Sequence, residues 1–235
     1  MTRDHRPERL VNWSPLGETG VLIWTANEDD ASELAAAARS ANWPWLVDVV
    51  QAYASVAIYF QRDAFAAAER HARVMMELAH LEESPISRAA PRIHRIPVCY
   101  EKQFDLDRVA THSGLTPDAV IALHSGSEYT VYAIGFCPGF PYLGYLASAI
   151  ANVPRLDSPR VRVPAGSVGL TGRQTGIYTE ERPGGWNIIG QTPLELVNVA
   201  DGYFPLRTGD CVVFDRIDEA TFEDLRGERL MTFEN

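Results

Sequence analysis

Between residues 135 and 190 this chain places ten of its seventeen glycines and six of its fifteen prolines. Glycine admits positive φ, and proline fixes φ while removing a donor. Such a density in an ordered chain means tight turns and a backbone that something approaches closely. Phe136, Phe140, Tyr142, Tyr145, Tyr178 and Trp186 are interspersed there, and a flexible linker lacks such aromatics. The stretch reads as short strands and turns that build a binding surface.

The 235 residues suffice for one or two domains with a real core. Hydrophobic residues make up 46% and charged residues 22%, as in ordinary globular proteins. A net charge of −10 argues against nucleic acid as a partner, which would need clustered Lys and Arg. Residues 135–190 run the other way, with Arg155, Arg160, Arg162, Arg173 and Arg182 against Asp157, Glu180 and Glu181. A locally basic patch suits a small anionic ligand or an acidic partner face, unless these arginines pair with carboxylates elsewhere. Cys99, Cys137 and Cys211 show no zinc-like spacing. His112 and His124 fall on adjacent short helices without a third ligand and read as surface or capping residues, so no metal site is expected. No signal peptide and no run of roughly 20 apolar residues is apparent; a cytoplasmic protein without membrane contact is expected.

The first part alternates strand and helix signals. Residues 21–26 read as a strand, Asn27 as the cap of a helix with an acidic first turn, and Trp43-Pro44 as its stop. Two strands follow, near 46–50 and 54–60. Asp63 can cap a second helix with the stripe Phe65, Ala68, Ala72, Met75 and Ala79. The order β-α-β-β-α suggests a small α+β domain of the split βαβ type over residues 1–86. Residues 83–91 look like a boundary. In the second domain, 87–235, a strand at 93–100 precedes two short helices. One starts at Asp105 and ends at Gly114; the other starts at Thr116-Pro117 and ends before Gly126. From a strand at 129–136 to Asp215, short strands between Gly and Pro turns favour a β-barrel with no further long helix. Its rim is expected to carry the 136–145 loop, residues 173–178 and Trp186.

Chemical motifs are sparse. Ser167 in AGSVG does not make a nucleophile elbow, because position 165 is Ala and no helix follows. The run GSVGLTGRQTG lacks the ending of a phosphate loop. It can still aim backbone N–H groups at an anion, with Arg173, Gln174 and Thr175 as added donors, or it is a plain hairpin. Glu180 and Glu181 are either acid–base groups or solvated carboxylates. Trp186 in PGGW is barrel core or the wall of a ligand or partner site. Pro138 and Pro141 stiffen the 138–146 loop, so Phe140 and Tyr142 either anchor a partner or close the barrel.

Taken together, GFCPGFPYLGYL, VPAGSVG, QTGIY and PGGWNIIGQTP resemble the family called allophanate hydrolase subunit 1. That family includes the B-type subunit of bacterial 5-oxoprolinase and the sporulation kinase inhibitor KipI. The resemblance implies an α+β domain followed by a cyclophilin-like barrel. It implies a homologous second subunit, of the allophanate hydrolase subunit 2 type or the 5-oxoprolinase C type, with a third subunit in 5-oxoprolinase. The implied activity is ATP-dependent cleavage of an amide, 5-oxo-L-proline to L-glutamate, with ATP and Mg2+ bound by the complex. A kinase-inhibiting binding protein and a carboxyltransferase component are the alternatives. The expected substrate- or nucleotide-facing residues are Arg162, Ser167, Arg173, Gln174, Thr175, Tyr178, Trp186 and Gln191. The expected partner-facing residues are Pro138, Phe140, Tyr142 and Tyr145; no catalytic residue is assigned. Two departures stand out. Glu101-Lys102-Gln103 replaces a Gly-Gly-containing segment, and Gln191 replaces the Arg of an IGRTP motif, which removes a fixed charge and a bidentate fork.

Overall fold

The computed structural model describes residues 10–81 and 91–231, which form two compact units that meet in sequence at residues 90 and 91. The proposed boundary segment lies, except for Pro91, outside the described residues. No helix among the described residues is long and apolar enough to cross a membrane.

The first unit opens with a strand absent from the sequence reading, β1 (Leu10–Pro15). It is followed by β2 (Gly20–Thr25), α1 (Glu28–Ser40), β3 (Leu46–Ala52), β4 (Ser55–Phe60) and α2 (Arg70–Leu81). The strand order is β1-β2-β4-β3, and each neighbouring pair is antiparallel. Asn27 caps α1 as expected, its side chain accepting from the Asp30 amide at 2.9 Å. The expected stripe of α2 is corrected. The helix begins at Arg70 and buries Val74 and Leu78; of the expected stripe, Met75 packs against the same core from the helix and Phe65 from the turn before it.

The second unit contains β5 (Ile93–Cys99), α3 (Leu106–Ser113), α4 (Pro117–Ser125), β6 (Glu128–Ile134) and β7 (Pro141–Gly144). Then come β8 (Arg160–Val163), β9 (Ser167–Thr171), β10 (Gln174–Ile177), β11 (Arg182–Gly184), β12 (Asn187–Gln191), β13 (Cys211–Ile217) and α5 (Glu219–Asp224). Seven strands run in the order β6-β13-β5-β12-β9-β10-β7, and β7 pairs back with β6 to close a barrel. All pairs are antiparallel except β13 with β5. Strands β8 and β11 form a separate two-stranded flap.

Two expectations about the rim are corrected. Residues 141–144 and 174–177 are barrel strands, because their apolar side chains alternate between two buried faces. Leu143 and Ile177 fill the barrel, and Phe140 and Tyr178 fill a second cluster outside it.

Helices α3 and α4 also contribute to the barrel core, through Leu106, Val109, Val120 and Ile121. Thr116 caps α4, accepting from the Ala119 amide at 3.2 Å, with Pro117 in the first turn. His124 occupies the next position on the same inward face and is fully buried, which corrects its reading as a surface or capping residue. The Tyr100 hydroxyl donates to its Nδ1 (2.7 Å), and its Nε2–H donates to Thr175 Oγ1 (2.9 Å). The Thr175 hydroxyl passes its own hydrogen to the Gly169 carbonyl (3.0 Å). Every donor in this row has one acceptor only if the imidazole is neutral. Phe214 stacks on the ring at 4.7 Å.

Burial lowers the His124 pKa from 6.5 to about 3. Between these values the unfolded chain holds a proton that the folded chain does not. Folding stability therefore falls as the pH drops through that window, by up to about 1.4 kcal/mol per pH unit. His124→Gln should flatten the dependence of unfolding free energy on pH between 6 and 4, as read from urea titrations. An unchanged slope would show that this imidazole is not the group responsible.

Candidate functional site

The Gly- and Pro-rich stretch builds a second hydrophobic layer on the outer wall of the barrel. Phe140 is its hub and is 1% exposed. Trp186 stands edge-on to it at 5.6 Å, Tyr178 at 5.3 Å and Tyr142 at 4.9 Å. Such edge-to-face pairs add about 0.5–1.5 kcal/mol each beyond burial. Two glycines make room for the rings. A Cβ on Gly176 would lie 2.9 Å from the Phe140 ring, and one on Gly184 would lie 2.1 Å from the Tyr178 hydroxyl oxygen. The expectation that Phe140 projects as a partner anchor is therefore corrected: it is core. Of the other expected partner residues, Pro138 is exposed, Tyr142 is half-buried, and Tyr145 is half-buried beneath the Arg173 guanidinium at 4.1 Å.

Beside this layer opens a cleft of about 400 Å³. Its floor is a ladder of backbone bonds: Gly166 N–H to the Tyr178 carbonyl (2.7 Å), Tyr178 N–H to the Ser167 carbonyl (2.9 Å) and Thr192 N–H to the Gly166 carbonyl (2.9 Å). Gln191 lines the cleft and donates from Nε2 to the Ala165 carbonyl at 2.8 Å. Tyr178, Glu180, Glu181, Glu195 and Arg226 complete much of the wall. The carboxylates are already engaged. Glu181 pairs with Arg162 at 3.2 Å, Glu180 accepts from Arg182 Nε at 2.9 Å, and Glu195 accepts from Arg229 Nε at 2.7 Å. Hydrogen bonds from Arg229 and Asn198 hold the Glu195 carboxyl below its usual range, although burial opposes this.

The expected ligand-facing residues thus separate into groups. Tyr178 and Gln191 line the cleft, Ser167 is buried under it, and Arg162 reaches its rim through Glu181. Trp186 belongs to the aromatic layer. Arg173 and Gln174 sit at the turn of the β9–β10 hairpin, whereas Ser167 and Tyr178 sit at its open end. Thr175 is fully buried and bonded to His124, so it cannot serve as a ligand donor without breaking that row.

Several residues escaped sequence reasoning. Leu196, Val197, Phe222 and Arg226 reach the cleft from the C-terminal segment, and nothing in their local pattern indicates this. Asp105, at the N-cap of α3, makes no capping bond; it accepts from Arg160 Nη1 (2.9 Å) and Nη2 (2.7 Å) and from the Ile188 amide (2.8 Å). This one carboxylate ties the flap and β12 to the start of α3.

The fold recurs within larger chains. It matches the Kluyveromyces lactis urea amidolyase with a TM-score of 0.72 at 17% identity, covering 95% of this chain and 16% of that one, a likeness of fold alone. A crystal structure of the protein designated TTHA0988 superposes with a TM-score of 0.72 at 35% identity, covering 85% of this chain and 40% of that one. Residues 11–203 match the model for the carboxyltransferase domain, subdomains C and D, and the chain belongs to that family. The B-type subunit of 5-oxoprolinase from Bacillus subtilis (strain 168) is 48% identical over 140 residues, 58% of this chain and 58% of that protein. The match thus spans less than two thirds of that relative.

Phe140→Ala should cost the isolated chain about 3–5 kcal/mol, measured by urea unfolding. A loss under 1 kcal/mol would mean that the outer layer does not support the fold.

Proposed function

We propose that this chain is the B-type subunit of a cytoplasmic 5-oxoprolinase, converting 5-oxo-L-proline, ATP and water to L-glutamate, ADP and phosphate within a heteromeric complex. The observation that carries this reading is the 48% identity to the B-type subunit of the B. subtilis enzyme. The cleft supports a shared site. Its carboxylates Glu180, Glu181 and Glu195 are each neutralised by an arginine, which leaves no free acid–base pair among them. The arginine that lines the cleft, Arg226, is itself paired with Glu223 and is not free to hold a triphosphate, so we assign ATP with Mg2+ to another part of the complex. Tyr178 and Gln191 face the cleft and are the residues proposed to meet substrate from this side.

A homologous second subunit, of the 5-oxoprolinase C type, completes the site, with the third subunit of that enzyme joining them. The apolar surface offered to it comprises Phe136, Pro138 and Val199, all exposed beside the cleft. Pro138 and Val199 border a hollow of about 230 Å³ that also includes Thr179 and Glu180. This replaces Phe140 as the partner anchor. A second reading, a carboxyltransferase component supplied with biotin by another protein, is favoured by one observation: 27% identity over 121 residues to a putative urea carboxylase of Emericella nidulans.

Purified chain should release negligible ADP in response to 5-oxo-L-proline, and robust turnover should appear with both partner subunits. No turnover by the assembled complex would overturn the function, and turnover by the isolated chain would overturn the shared site. Phe136→Ala should weaken pairing by about 2 kcal/mol and leave the melting temperature of the isolated chain within a degree or two. Unchanged pairing affinity would exclude this surface.

A further inference from the structure

Each charged side chain that lines the cleft stands beside an opposite charge: Glu180, Glu181 and Glu195 beside arginines, and Arg226 beside Glu223. Neutral groups of the lining are engaged as well. The Thr179 hydroxyl donates to the Pro138 carbonyl at 2.7 Å, and Thr192 Oγ1 accepts from the Leu194 amide at 3.4 Å. Gln191 differs, because only half of its side-chain amide is used.

That amide is held from several directions. Gln191 ends β12 and pairs on both sides, with Ser167 of β9 and with Cys99 of β5. Its stem lies against Gly166, where φ is +80°. A Cβ at residue 166 would stand 2.3 Å from the Thr192 carbonyl oxygen and 3.4 Å from Gln191 Cγ. Glycine is therefore required at 166, and the space beside it goes to Gln191. Gln191 Nε2 donates to the Ala165 carbonyl at 2.8 Å. This bond also fixes which end of the amide is which. A carbonyl oxygen accepts and never donates, so the NH2 end faces Ala165 and the oxygen end is turned from it. No described residue donates to that oxygen, Oε1. Ala165, Gly166 and Gln191 all line the cleft.

The cleft thus carries an oriented, uncharged acceptor set among charges that cancel. Such an acceptor selects an uncharged donor. An amide N–H fits it best, because that group donates only and has to be satisfied when it leaves water, whereas a hydroxyl can turn and accept elsewhere. A volume of about 400 Å³ suits a small molecule.

We propose that Gln191 is a specificity-determining residue of this cleft: its side-chain carbonyl accepts the N–H of a small uncharged amide and discriminates against the isostere that carries oxygen in place of N–H. Identification of that amide as the lactam of 5-oxo-L-proline rests on the function proposed above; the preference for N–H over oxygen does not.

The test is ligand-observed NMR on the full chain and on the assembled complex, with probes in pairs that differ only by N–H or oxygen. The pairs are 5-oxo-L-proline with 5-oxotetrahydrofuran-2-carboxylate, 2-pyrrolidinone with γ-butyrolactone, and N-methylacetamide with methyl acetate. In at least one pair the amide should bind about ten- to a hundredfold more tightly than the ester. A gap in the cyclic pairs alone assigns a lactam, and a gap in the open-chain pair alone assigns an acyclic amide; either supports the acceptor. Gln191→Met keeps the length of the side chain and removes the acceptor. It should close the gap to within about twofold by weakening the amide and not the ester. A residue that only shaped the cleft would weaken both members of a pair alike. Equal binding of amide and ester by the wild type, no binding of any probe in either preparation, or a gap that survives Gln191→Met would each overturn the proposal. The wild-type comparison needs no variant, so it decides even where Gln191→Met does not fold. The two proposals fail separately. An N–H-dependent gap closed by Gln191→Met, in a complex that hydrolyses no ATP with 5-oxo-L-proline, would leave the site and remove the function. Hydrolysis whose KM for 5-oxo-L-proline ignores Gln191→Met would do the reverse.

Discussion

Everything distinctive in the second unit depends on aromatic rings lying directly on barrel backbone. A barrel strand points alternate side chains inward and outward. In β9 and β10 the inward residues Val168, Leu170 and Ile177 fill the interior. The outward positions Gly169 and Gly176 carry no side chain, and Trp186, Ile188 and Phe140 occupy that space. The wall is thus packed on both faces over a stretch where an ordinary small barrel would meet water. The cost is sequence freedom, because a methyl group at Gly176 would collide with both the Phe140 ring and the Pro141 carbonyl. The benefit is a rigid outer surface from which Tyr178 can border the cleft.

Asp105 transmits that rigidity. It is 6% exposed and its charge is matched by a bidentate Arg160, with the Ile188 amide satisfying a third lone pair. A buried pair of this kind adds little net stability over an apolar substitute, whereas removing one member is costly, about 3–5 kcal/mol. The arrangement therefore acts as a positional lock. The amides of Phe104 and Asp105 both reach the Ile188 carbonyl, so the loop before α3 and strand β12 share one register. The neighbouring Asn187 holds Pro154, and through it Arg155. Flap, cleft wall and basic group are thereby spaced by one strand.

Local chemistry was legible in the sequence and long-range chemistry was not. Asn27, Thr116-Pro117, Gly114 and Gly126 mark helix ends through bonds to residues within five positions, so their signals survive in any context. The succession of Gly and Pro turns foretold the barrel for the same reason. The reading of His124 failed because its role is set by Tyr100 and Thr175, 24 and 51 residues away. Asp105 looked like a cap because an acid before an apolar helix usually is one, yet its partner is 55 residues distant. Phe140 looked exposed because it stands among turn residues. Only the pairing of β7 with β10 shows that its ring covers Gly176. The segment before α2 misled in another way: alanines at helical spacing in residues 64–69 supply propensity but no bulk to bury, and tertiary packing selected Val74 and Leu78.

The glycine-rich segment does not present an open basic patch on this protein of net charge −10. Most arginines of the glycine-rich segment are consumed locally, and each such pair cancels at short range while adding little to the distant field. Asp210 shows the same economy at the start of β13. Burial pushes its carboxyl up, but His94, Arg92 and the Arg207 amide outweigh this and hold it below its usual range. Pairs of this kind fix where each side chain stands more than they add to net stability, so the arginines of this segment serve position rather than field.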